Sequence, residues 1–259
     1  MARMPVIFFG HGSPTNALDD NEFTRSWAKL GAGITPAPRA ILCVSAHWCT
    51  RGTAVTAMDK PKTIHDFGGF SRALNTLQYP APGSAEIAAR VAEVVSRRII
   101  GPDKNWGFDH GTWSVLVHAY PQADIPVVQL SMDVSMSAED RFAMGKRLAV
   151  LRDEGVLIVG SGNIVHNLGV MDWNPASQPY PWAQEFNDYI CSAINKNEPF
   201  KVIGATEAGR IFGMCHPSPD HFWPLLYILG TRLPDDKVSL YTNKVMHKSL
   251  SMMSLMIHS

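Results

Sequence analysis

The chain has little that would tie it to a charged partner or a membrane. Lys plus Arg number 23, as do Asp plus Glu, so the formal net charge is zero. No bulk field draws such a protein to nucleic acid or anionic lipid, and neither is expected as a partner. No apolar run approaches the roughly 18 residues that suggest a membrane helix. The start, MARMPVIFF, has too short an apolar stretch and no cleavage site for a secretory signal, so a cytoplasmic protein is expected. Cysteine is scarce. Cys43, Cys49, Cys191 and Cys215 are scattered, form no C-x-x-C pair and are too few to staple 259 residues; they read as reduced and mostly structural.

Several chemical signatures are missing as well. There is no Walker lysine, no G-x-G-x-x-G, no G-x-S-x-G around Ser13 or Ser161, and no H-E-x-x-H. These absences remove the usual nucleotide cradles, the hydrolase elbow and the helix-borne zinc peptidase. GSGN at 160–163 hints at a phosphate cradle but lacks the supporting spacing. No internal repeat, low-complexity tract or linker divides the chain, so it reads as one domain over 1–259.

What is present is a core. At 46% hydrophobic and 18% charged, the chain can bury a substantial interior. Continuous apolar runs at 5–9, 39–45, 125–130 and 155–160 read as strands covered on both faces. Amphipathic stretches at 84–99 and 137–155 read as helices, the second opened by Ser137 and closed by Gly155, and FWPLLYILG (222–230) reads as a third. Strand and helix alternate. The expectation is an α/β fold: a single domain with a mostly parallel central sheet flanked by helices. The segment 51–82, with Pro61, Gly68, Gly69, Pro80 and Pro82, is too irregular for one helix and is expected at the sheet edge or as a lid.

The strands end in histidines. Run 5–9 leads into Gly10-His11-Gly12, run 39–45 into Ala46-His47-Trp48, and run 155–160 through SGNIV to His166. CHPSPDHFWPL (215–225) adds His216 and His221, and WGFDHGTW (106–113) adds His110. Ligands bind beyond the carboxyl ends of strands in open parallel sheets, where several loops converge. One histidine there is an ordinary polar residue, but a set on separate strand ends suits a metal site, since neutral imidazole binds Fe(II) and Zn well. His65, His118, His247 and His258 have no such placement and read as structural or surface residues. Trp48, Trp106, Trp113 and Trp223 read as core more readily than as a substrate platform, and Asp66 in TIHDFGGF reads as a turn or cap residue.

Seven motifs, FFGHGSPTNAL, VSAHW, TIHDFGGF, YPAPG, DHGTW, GSGNIVHNL and HPSPDHFWPLLY, stand in this order from residue 6 to about 229. Together they resemble the LigB-like class III extradiol ring-cleavage dioxygenases, and more closely the 4,5-DOPA dioxygenase branch. The resemblance implies one non-haem divalent metal, Fe(2+) for dioxygenase chemistry, held by His11, His47 and His221. It implies that His166 is the acid/base catalyst or a further metal ligand, and that His110 lies in the substrate pocket. The implied reaction joins a small aromatic catechol such as DOPA with O2 to give a semialdehyde. More distant LigB enzymes use two histidines and a carboxylate, whereas no glutamate stands out here; an all-nitrogen set also suits Zn(2+). A zinc-dependent hydrolase on the same scaffold and a non-catalytic metal-binding interaction protein are the alternative readings.

Overall fold

The computed structural model describes residues 3–95, 99–174 and 176–259. Eight strands form the central sheet: β1 Val6–Gly10, β2 Ala40–Thr50, β3 Thr53–Thr56, β4 Ile99–Asp103, β5 Val127–Asp133, β6 Val156–Gly162, β7 Lys237–Tyr241 and β8 Ser254–His258. Their order across the sheet is β4-β3-β5-β2-β6-β1-β8-β7. The central four, β5, β2, β6 and β1, pair in parallel. β3 lies parallel to β4 and meets β5 antiparallel through Val55 and Leu130, and β8 runs antiparallel to both β1 and β7. A mostly parallel sheet flanked by helices is therefore the fold observed.

The apolar runs are continuous because successive side chains fill different cores. Val6 and Phe8 of β1 face one cluster, which includes Ile87 and Val91 of α2 (Ala85–Val95), Leu148 of α4 (Ala138–Leu148), Ile190 of α5 (Pro181–Asn195) and Leu226 of α6 (Trp223–Gly230). Ile7 and Phe9 face the opposite cluster, built from Phe23, Trp27 and Leu30 of α1 (Glu22–Ala32) and Trp113 and Leu116 of α3 (His110–Ala119). Both faces are thus dry, as a parallel sheet requires.

Some boundaries differ from the sequence reading. β2 runs on to Thr50, so His47 sits inside the strand, where the register with β5 shifts between Val44 and Cys49. The helix expected over 84–99 covers Ala85–Val95; residues 96–98 lie outside the described residues, and Ile99 already belongs to β4. The helix expected over 137–155 ends at Leu148 and continues as a tighter turn over Ala149–Arg152. Segment 51–82 supplies β3 to the main sheet, a two-residue strand Lys62–Thr63 paired with Gly107–Phe108, and a short helix, Arg72–Thr76. Trp48 and Trp113 are core residues, and Cys43, Cys191 and Cys215 are buried free thiols, with Cys49 exposed. Among the described residues no helix is long and apolar enough to cross a membrane.

The amino-terminal end of the sheet is held by a buried ion pair. Arg152, fully buried ahead of β6, bonds Asp236 ahead of β7 at 2.6 and 3.0 Å. The same guanidinium donates to the carbonyls of Met4, ahead of β1, and Thr231, after α6. Four chain segments meet on one cation. Asp236→Ala leaves that charge buried and uncompensated, and a loss of about 3–5 kcal/mol is expected in denaturant unfolding; an unchanged midpoint would contradict this role.

Candidate metal centre

At the other end of the sheet, three imidazoles converge. His11 follows β1 directly, in a turn made by Gly12, whose φ of +63° belongs to the left-handed region where glycine is at ease. His47 comes from β2, and His221 from the short turn Pro219–His221 that precedes α6. Ligand nitrogens of all three lie within 4.8 Å of one another. Nε2 of His47 is 3.2 Å from Nε2 of His11, and the His221 ring centroid lies 5.2 and 4.9 Å from those of His11 and His47.

The hydrogen bonds behind the rings decide which nitrogens face inward. The Ser161 hydroxyl donates its proton to the Gly111 carbonyl at 2.5 Å, so its oxygen must accept from Nδ1–H of His11 at 2.9 Å. His11 then carries its lone pair on Nε2. Nδ1 of His221 lies 2.5 Å from a carboxylate oxygen of Asp220, which likewise places the proton on Nδ1 and the lone pair on Nε2. Two imidazole nitrogens 3.2 Å apart, one a bare lone pair, need a positive particle between them. An N–H proton of His47 can bridge that one pair; a divalent cation can be shared by all three rings. The backing contacts are those that orient metal-bound histidine, so the residues fit the group.

The peptide chain around the rings is tight. A Cβ at Gly162 would stand 2.2 Å from the His221 carbonyl, while Asn163 donates its N–H to that carbonyl at 2.9 Å. The GSGN string is therefore the seat of the His221 turn and, through Ser161, the support of His11. It does not form the phosphate cradle that its glycines suggest. A Cβ at Gly111 would stand 2.8 Å from the His47 ring and 2.4 Å from Ser45 Oγ. Helix α3 must start with His110-Gly111 because nothing larger fits beneath His47. Its start is fixed by buried Asp109, which accepts from Thr112 N–H at 3.1 Å, from the Ser45 hydroxyl at 2.6 Å and from Gln129 at 2.8 Å.

A second group shares His47. Nδ1 of His47, Nδ1 of His110 and the carboxylate of Asp66 form it, with N···O separations of 3.4 and 3.0 Å. Asp66 thus departs from the turn-or-cap role read from TIHDFGGF. It accepts the His110 backbone N–H at 2.9 Å and faces two site imidazoles. His166 stands outside the three-nitrogen set: its ring stacks flat on His221, 3.4 Å between centroids and 5° between planes. His216 is buried with Nε2 2.7 Å from the Ile164 carbonyl, among Phe186, Phe212 and Phe222. His65, His118 and His247 each have a ring nitrogen at a backbone carbonyl, and His258 sits beside Ser239 on β7, so all four are structural. A cavity of about 640 Å³ lined by Ser13, Asn16, Glu22, Trp173 and Leu250 contains none of the site histidines, so imidazole convergence, not concavity, locates the chemistry.

Burial keeps the rings neutral. It pushes His11 and His221 well below the usual histidine range, helped by neighbouring imidazoles, and lowers His47 to about 3 and His166 to about 4. Burial alone would raise the Asp66 carboxyl, but contact with His110 and then His47 holds it below its ordinary value. Neutral imidazoles are the form in which histidine binds metal.

The LigB family, described as the catalytic LigB subunit of aromatic ring-opening dioxygenase, matches residues 5–257. The chain belongs to the LigB family. A 4,5-DOPA dioxygenase extradiol of Escherichia coli K12 is 49% identical over 98% of this chain and 95% of that protein. One from Beta vulgaris is 36% identical over 92% and 90%. A crystal structure of an uncharacterized Escherichia coli K12 protein superposes with a TM-score of 0.85 at 42% identity, covering 98% of this chain and 100% of that one. This LigB-family chain is accordingly an enzyme of the extradiol dioxygenase class, metal-dependent like its family and acting on an aromatic substrate.

Sequence reasoning missed Asp66, Ser161 and Asp220 as supports of this LigB site. Asp220 stood beside His221 in PDHFWPL and could have been found by adjacency; the other two are joined to their partners only by the fold. The acid response follows from the lowered histidines. Unfolded histidines take up protons near pH 6.5, whereas half-buried His166 and His47 do so only near 4 and 3. Between those limits the unfolded chain binds more protons, so the metal-free protein loses stability as pH falls from 6.5 toward 4. Thermal melts should show Tm dropping from pH 7 to pH 5, less steeply in His166→Gln; a flat profile would contradict buried neutral rings.

Proposed function

We propose that this chain opens the ring of a catechol such as DOPA with O2 to give a semialdehyde. In this reading His11, His47 and His221 hold one divalent metal, His166 and His110 serve the substrate, and residues 1–259 act as one catalytic domain. The observation that carries it is the set of three ligand nitrogens within 4.8 Å, two of the rings backed at Nδ1 by Ser161 and Asp220. Iron(II), when bound, supplies a centre at which catechol oxygens and dioxygen are activated together; the all-nitrogen set also suits zinc. The hydrolase and non-catalytic readings gain no support from the family or from its relatives' names.

The chain's own residues then divide the work. His166, neutral at pH 7 because burial holds it near 4, has an imidazole nitrogen ready to take a phenolic proton. Negative charge arriving on the substrate beside it raises its proton affinity, which favours the transfer. Its stack on His221 keeps that base one ring's thickness from the cluster. His110, with Nδ1–H beside the Asp66 carboxylate, has the Nε2 lone pair left for the substrate; a proton that Nε2 takes from a substrate hydroxyl then stabilises developing oxygen charge, with Asp66 balancing the ring. One well-placed donor of this kind is worth about 2.7–4 kcal/mol. Phe67 packs edge-on against His110 at 5.6 Å and keeps that ring upright and away from water.

The test is anaerobic reconstitution with Fe(II), then O2 and a panel of catechols including DOPA, following oxygen uptake and the yellow ring-opened product. Oxygen consumption equal to product is expected. If iron restores nothing while zinc restores a hydrolysis, the reading fails. His110→Phe should lower turnover about 10²–10³-fold, the effect of removing one charge-stabilising donor, with metal content unchanged by elemental analysis; loss of the metal itself would refute the assigned role.

A further inference from the structure

Asp66 is the carboxylate that touches both halves of this site. Its Oδ2 lies 3.4 Å from Nδ1 of His47, and its Oδ1 lies 3.0 Å from Nδ1 of His110. Nδ1 of His110 is a buried atom without an aligned hydrogen-bond partner, so the adjacent carboxylate is the group placed to accept from its N–H. The segment carrying Asp66 is pinned on both sides. Ile64 donates its N–H to the Phe108 carbonyl at 2.7 Å and accepts the Trp113 indole N–H at 2.8 Å. His65 Nε2 sits 2.9 Å from the Leu77 carbonyl, and Phe67 packs on His110 and Trp113. Beyond them Gly68 and Gly69 have open space around them, so the constraint falls on the residues that frame the carboxylate.

We infer that Asp66 is a positioning residue that holds His47 and His110 together, one carboxylate oxygen to each Nδ1. This rests on the proposed roles of His47 as ligand and His110 as the substrate's imidazole. With Nδ1 of His47 turned to Asp66, Nε2 is left for the cluster with His11. With Nδ1 of His110 turned to the other oxygen, Nε2 is left for the substrate. One side chain thereby fixes the distance between a metal-holding ring and a substrate-facing ring, whose centroids are 3.8 Å apart. The geometry calls for a carboxylate rather than an amide. Asparagine has one acceptor oxygen, so it would serve one ring and press N–H against N–H at the other.

The experiment compares Asp66→Asn and Asp66→Ala with the parent in the full chain. Asparagine keeps an oxygen for the His110 backbone N–H, so it is expected to fold. Zn(II) affinity is measured by chelator competition, and the ring nitrogens of His110 are followed by 15N NMR in the zinc-loaded protein. Both variants should bind Zn(II) about 10–100-fold more weakly, the usual cost of losing a partner behind a ligand histidine. The parent should show a protonated Nδ1 on His110, and the variants should lose that signal. Zinc affinity of Asp66→Asn within about threefold of the parent, well short of that cost, overturns the inference. So does an unprotonated Nδ1 on His110 in the parent, a result that stands even if a variant fails to fold. Neither readout requires ring opening, so a failed catechol assay and a failed Asp66 assignment are separate results.

Discussion

Three neutral imidazoles crowd one point, two of them with lone pairs fixed inward, and such nitrogens repel unless a proton or a cation lies between them. That constraint organises the carboxyl-terminal end of this sheet. It requires each ring to be held from behind, because a free imidazole would rotate its lone pair to water. Ser161 holds His11, Asp220 holds His221, and Asp66 stands behind His47. It also requires the backbone to come unusually close, which is why glycine stands at 111 and 162, where a Cβ would strike the His47 ring or the His221 carbonyl.

The sheet divides its labour between two ends. At the amino-terminal end Arg152 is satisfied by Asp236 and by carbonyls before β1 and after α6, a closed arrangement with no group left over. At the carboxyl-terminal end satisfaction is incomplete: Nδ1 of His110 is buried without an aligned partner, while the Nε2 lone pairs of His11 and His221 face the cluster, that of His11 3.2 Å from Nε2 of His47. Buried polar atoms without partners cost free energy, so such a set persists only where the rest of the fold over-determines it. Four parallel strands covered on both faces supply that rigidity.

The fold class and the histidines were legible because both rest on local pattern. Apolar runs that fill two cores read the same in sequence as in space, and His11, His47 and His166 stood where those runs stopped. His47 kept its place at the site even though β2 continues past it, since the register shift after Val44 breaks the ladder without turning the strand back. The C-terminal antiparallel strands were not legible: β7 is half-buried at the sheet edge, and the alternation of Lys237, Val238, Ser239 and Leu240 is too short to stand out from a loop. Asp66 was illegible for a different reason. Its neighbours Gly68 and Gly69 signal a turn correctly, but its partners are 19 residues before it and 44 after it, so only the fold joins them. GSGN, rightly set aside as a phosphate cradle, had no role legible in its place because glycine signals close approach without saying to what; here the neighbour is the His221 carbonyl.

The resemblance raised the question of how a site without a carboxylate among its three converging ligands would balance a divalent charge. The structure places carboxylates one bond further out. Asp220 touches His221 and Asp66 faces His47, so two formal negative charges lie behind two of the three rings. A carboxylate hydrogen-bonded to the far nitrogen makes the near nitrogen a stronger donor and shares the ion's charge through the ring. The inner face stays all nitrogen, while the positive charge is compensated at a distance that leaves room beside the rings. Asp66 faces His47 and His110 at once, so under the proposed roles of those two rings the compensation of the ion and the placement of the substrate's imidazole depend on the same two oxygen atoms.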